Sequence, residues 1–158
     1  MNKFKLSHGF TLIELLITLT IVGFILAAIY TFYLTGLKSW QRGADSMEAQ
    51  QSARIAVNRI ITELRYAHLL SLHGDNSEVR FKVSPDVRTR RFRLVGQELV
   101  YESYPPGTSN YFHNKIALGI TGLVFELDSN NLLTITITAE SESCQVTLTD
   151  SIRPRNLP

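Results

Sequence analysis

Cysteine is almost missing from these 158 residues; Cys144 stands alone. No intramolecular disulfide can form, so packing has to hold the fold, and metal sites built on paired cysteines are excluded. The missing disulfide does not assign a compartment. An inert place near a turn or strand is the simplest reading for Cys144, with metal ligation or nucleophilic chemistry as alternatives. Proline is absent before Pro85, which leaves a long N-terminal stretch free of helix breakers. A surplus of one charge is absent as well, with 16 basic against 14 acidic side chains. Lys3 and Lys5 lie in the first nine residues, and without that stretch the two signs balance. Net charge therefore gives no reason to expect a nucleic acid partner.

Chemical motifs are scarce too. His8, His68, His73 and His113 form no HExxH pattern, and there is no phosphate-cradling glycine loop. His68 is expected near a helix end, and His73 in solvent. Asp128, Ser129, Asn130 and Asn131 offer closely spaced oxygens, but without the glycine and distant glutamate of an EF-hand loop; a turn explains them better. No catalytic residues, no metal and no cofactor are expected.

What the chain does have is a dense apolar block. From Phe10 to Leu34 the one formal charge is Glu14. As a helix these residues would extend about 37 Å, enough to cross a hydrocarbon core of about 30 Å. Lys3 and Lys5 favour a cytoplasmic N-terminus, although Lys38 and Arg42 follow the other end closely and weaken the bias. Tyr30, Tyr33 and Trp40 fit an interfacial belt, Trp40 equally a packing aromatic. Three readings compete: a secretory signal cut near Leu26-Ala27-Ala28, an unprocessed anchor, or a leader cut before the apolar run.

The stretch Gly9-Phe10-Thr11-Leu12-Ile13-Glu14-Leu15-Leu16 resembles the class III signal of type IV pilins and type II secretion pseudopilins. That resemblance implies cleavage between Gly9 and Phe10 by a membrane prepilin peptidase, which commonly methylates the new amine on Phe10. It also implies a partner for Glu14, since an unpaired charge in hydrocarbon costs a few kcal/mol or more. In the resembled family that partner is the N-terminal amine of a neighbouring subunit, so that the pair helps set helix register in a filament. Pairing with the chain's own amine is the alternative.

Beyond Leu34, Ala53, Ala56, Val57, Ile60, Leu64 and Ala67 recur at helical spacing, and Arg59 and Glu63 can pair across one turn. One helix is predicted from about residue 10 to about 70, broken by LHGDN at 72–76. Short strands are predicted after it: EVRFKVS; a hairpin in RRFRLVGQELVYES turning at Gly96-Gln97; a second hairpin turning at Asp128–Asn131; and QVTLTDS after the polar turn SESC. Pro105 and Pro106 keep YPPGTSN in a loop. The expected fold is α+β and pilin-like, a long helix packed on a small antiparallel sheet head. Its expected parts are a leader (1–9), a transmembrane and assembly helix (10–34), an amphipathic continuation (35–72) and a β-sheet head (73–158).

The segment RIAVNRIITELRYA and the closing SIRPRN are similar to minor pseudopilins of the J class and to PilW-like minor pilins. The absence of a cysteine pair and of a proline kink in the membrane helix departs from many major pilins. The resemblance implies assembly with other major and minor subunits on an inner-membrane platform. The basic run VRTRRFR is expected to place Arg91 and Arg93 on one strand face, solvated, facing a neighbour's carboxylates, or touching DNA phosphate. Three functions stay open: a minor subunit of a pilus or secretion pseudopilus, a DNA-contacting or adhesive minor pilin, and an unprocessed membrane-anchored binding domain.

Overall fold

The computed structural model describes residues 10–107 and 111–157. Gly9, Lys3, Lys5 and His8, and with them the N-terminal side of the expected cleavage site, lie outside the described residues. The chain divides into two compact units, one up to Gln41 and one from Arg42 onward.

Helix α1 runs Leu12–Leu64. Thr11 opens it: its hydroxyl accepts the Glu14 N–H at 3.3 Å and its carbonyl accepts the same N–H at 3.1 Å. Thr11 thus serves as N-cap, satisfying a donor that a helix start leaves free. In the first unit every described residue is exposed, and an 18-residue window reaches a mean hydropathy of 2.6 with none of it buried. The helix is long and apolar enough to cross a membrane. Its hydroxyls suit that setting. Thr18, Thr20, Thr31 and Thr35 donate at 2.8–2.9 Å to carbonyls three or four residues back, so none needs water.

In the second unit α1 buries Ala53, Ala56, Val57, Ile60 and Leu64, as the spacing predicted, together with Ala49; Ala67, the last member of the predicted stripe, is buried on the strand that follows. The alanines let the sheets approach the helix axis, while Ile60 and Leu64 supply larger apolar area, about 1.5–3 kcal/mol each when fully buried. A meander follows: β1 (Ala67–His73), β2 (Glu78–Val83), β3 (Thr89–Val95), β4 (Glu98–Tyr104) and β5 (Phe112–Leu118), antiparallel and in sequence order within one sheet. A second sheet holds β6 (Ile120–Leu127), β7 (Leu133–Ser141) and β8 (Cys144–Ile152). The inner faces of both sheets and the helix stripe form one core around Phe81, Phe92, Phe125, Ile135 and Ile137. Phe81 and Phe92 stack at 5.7 Å, and Tyr101 tilts against Phe92 at 5.2 Å. The architecture is the expected one, a long N-terminal helix against an antiparallel β-sheet head.

Two expectations are corrected. The helix stops at Leu64, short of residue 70, and Ala67–His73 is strand β1. LHGDN accordingly begins a β1–β2 hairpin turn, with Gly74, Asp75 and Asn76 all at positive φ. His68 therefore sits on a strand, away from any helix-dipole position, while His73 is exposed at the strand's end. Strand β5 was not anticipated either: FHNKIAL has little alternation because it is a sheet edge with a bulge in its pairing to β4.

The junction between the sheets is a close approach. Gly119, at φ +70°, has its carbonyl accepting the Glu140 N–H at 2.7 Å. A Cβ there would lie 2.8 Å from the Glu140 oxygen.

Candidate functional site

Two regions carry the predicted site residues. In the first, Phe10 is 74% exposed just ahead of the helix, and Glu14 lies in its first turn. A carboxylate there complements the helix dipole. Thr11 and Glu14 also stand at the two ends of the S/T-x-x-E capping pattern; only the Thr11 half of that box is formed. The four residues Thr11-Leu12-Ile13-Glu14 carry that spacing in the sequence itself. Among the described residues the Glu14 carboxylate has no hydrogen bond or ion pair. Leu12, Ile13, Leu15, Leu16 and Leu19 around it are each more than half exposed. Among the described residues the acid thus sits unpaired within an exposed apolar surface, suited to lipid or to other apolar helices.

The second region is the outer face of the five-stranded sheet. Pairing of β3 with β4 sets Arg91 opposite Glu102 and Arg93 opposite Val100, and β4–β5 pairing brings His113 beside Glu102. The Glu102 side chain is wholly buried. Arg91 Nε donates to its Oε2. Tyr104 Oη donates to the same oxygen at 2.6 Å, and Arg93 Nη2 to Oε1 at 3.0 Å. His113 Nδ1 lies 3.3 Å from Oε1. The Arg91 guanidinium also stacks 4.9 Å over the Tyr104 ring. Burial alone would raise the Glu102 pKa, but the bonds from Arg93, Tyr104 and Arg91 outweigh it and hold the carboxyl at about 2. Tyr104 is pushed up to about 12, first by burial and then by its bond to Glu102.

Arg91 and Arg93 thus share a face, as the alternation predicted, and they converge on a carboxylate of their own chain. Arg90, on the opposite face, bonds Glu63 of α1 at 2.9 Å and Asp86 at 2.9 Å, tying strand to helix. Glu63 also takes Arg59 at 2.8 Å. Asp128 forms a turn of its own, accepting the Ser129 N–H at 2.7 Å and Asn130 Nδ2 at 3.2 Å. Among the described residues no group of three or more His, Cys, Asp or Glu is placed to hold a metal ion. Cys144 is free and half-buried at the start of β8.

Residues 4–30 match the family model described as the prokaryotic N-terminal methylation motif. No curated protein matches the chain. The chain therefore carries a prepilin-like methylation motif leading into a long apolar helix, with an antiparallel β-sheet head. That combination is consistent with the broad type IV pilin and pseudopilin family. The motif implies processing by a prepilin peptidase and methyltransferase.

Proposed function

We propose that the chain is a minor pilin or pseudopilin. It is cut between Gly9 and Phe10, methylated on Phe10, held in the cytoplasmic membrane by residues 10–34 with its head outside the cytoplasm, and then packed by that helix into a type IV pilus or type II secretion pseudopilus. A place at the tip or in the initiating complex fits a subunit similar to the J-class and PilW-like kinds. The supporting observation is the uncovered apolar helix with Glu14 in its first turn, directly within the methylation motif. Such a surface is stable in lipid. It can leave lipid only for a second apolar environment, and neighbouring helices supply one. Glu14 makes the exchange selective, because a neighbour's N-terminal amine neutralises it at one register and leaves it unpaired at others.

The alternative of a DNA-contacting or adhesive pilin drew on Arg91 and Arg93. Their engagement by Glu102 leaves less of their charge for phosphate, so no observation favours that reading over the first. Co-expression with a prepilin peptidase tests the proposal. Intact mass should show loss of residues 1–9 and a gain of about 14 Da for one methyl group, and other pilin-like subunits should co-purify. A product still beginning at Met1 would instead establish an unprocessed anchored domain.

A further inference from the structure

At the Leu64 end of the head lies a cleft of about 510 Å³ lined by Asn130, Asn131, Arg153, Pro154, Arg155 and Leu157. Two pieces of chain build it. The β6–β7 turn supplies the asparagines. The segment after β8 supplies the arginines and is fastened to the end of α1: the Arg155 N–H donates to the Arg65 carbonyl at 3.0 Å and Asn156 Nδ2 to the Tyr66 carbonyl at 3.3 Å.

Among the described residues the charge in this cleft is unbalanced. Arg59, Arg80, Arg88, Arg90, Arg91 and Arg93 each meet a carboxylate. Arg153 and Arg155 are exposed and have no ion-pair partner among the described residues, and Arg65 beside them is a third such cation. The nearby Asp128 is occupied by Ser129 and Asn130.

We propose that this cleft docks an acidic segment of a partner protein. Carboxylates of that segment take the two forked guanidiniums, which match them in a bidentate way. Asn130 directs its Nδ2 at Asp128, which leaves its amide oxygen to accept a peptide N–H. Buried Pro154 and half-buried Leu157 give an apolar floor for an aliphatic side chain. Nucleic acid fits less well, because the lining has no aromatic ring on which a base could stack. The inference is independent of how the N-terminus is processed.

The test uses the full chain in detergent micelles and a fluorescein-labelled peptide of alternating glutamate and serine, followed by anisotropy. Saturable binding is expected, weakening with salt. The R153Q/R155Q double variant should bind about tenfold or more weakly, whereas R54Q, which removes an exposed cation elsewhere, should change affinity less than about twofold. An oligonucleotide of equal charge should compete poorly. Equal binding of an alternating lysine–serine peptide overturns the proposal on the parent protein alone, whatever the variants do. Unchanged affinity in R153Q/R155Q, or an oligonucleotide that binds more tightly than the peptide, overturns it as well.

Discussion

Glu102 shows how a buried charge can be made stable by its surroundings. With two arginines, a tyrosine and a histidine around one carboxylate, its folded-state pKa of about 2 lies below the ordinary 4.5. Its contribution to stability is therefore complete above about pH 4.5 and is lost as the pH falls toward 2. Glu102→Gln should lower unfolding stability near neutral pH by about 2 kcal/mol, because two guanidiniums lose a charged acceptor. It should also flatten the acid limb of a pH-stability curve measured by thermal melting. An acid limb as steep as that of the parent would assign the sensitivity to other carboxylates. The pairing was legible in principle. A two-residue turn at Gly96-Gln97 sets Val95 against Glu98, and counting outward places Arg91 opposite Glu102. Alternation along the basic run alone gives the shared face of Arg91 and Arg93 but not their acidic partner, which lies across the hairpin on β4. Gly119 is the other sensitive position. An alanine there meets both a positive φ and the Glu140 carbonyl, so Gly119→Ala should cost about 1–3 kcal/mol in a denaturant midpoint assay.

Among the elements, the part of α1 from Arg42 onward has two unlike faces. Ile60 is wholly buried and Ile55 is 46% exposed on the other side. Ile60→Ala should lose about 2–5 kcal/mol, as cavity-forming core substitutions do, and Ile55→Ala less than about 1 kcal/mol; a thermal melt in detergent compares them directly. The helical stripe was legible because its spacing is regular and its residues apolar. The end of the helix was not. Leu69, Leu70 and Leu72 suit a helix as well as a strand, and the choice is made by pairing to β2, a partner that local spacing does not reveal. The same limit hid β5, whose strand character rests on its bonds to β4. The hairpins at 96–97 and 128–131 were readable since their turn residues carry the signal themselves.

For the molecule as a whole, an apolar segment and a folded head share one continuous helix. The sequence showed both regimes plainly, since 25 residues with one charge cannot form the surface of an ordinary soluble domain. Glu14→Val should leave membrane insertion intact, because removal of a charge from an apolar helix favours insertion. Cleavage after Gly9 should persist too, read as the mass of the product. Recovery with helical neighbours in a pull-down should fall several-fold; normal recovery would remove the charge pair from the assembly mechanism.

The clasp between Arg155 and the residues just after α1 ties together parts of the chain far apart in sequence. The residues that bond the Arg65 and Tyr66 carbonyls, just past the helix, sit 90 positions farther along the chain, so this tie joins the two ends of the head's sequence across all eight strands. Loss of the Asn156 amide should therefore loosen the stretch between α1 and β1 more than the helix itself, a difference that hydrogen exchange at Tyr66 and Ala67 would read against that at Ile60.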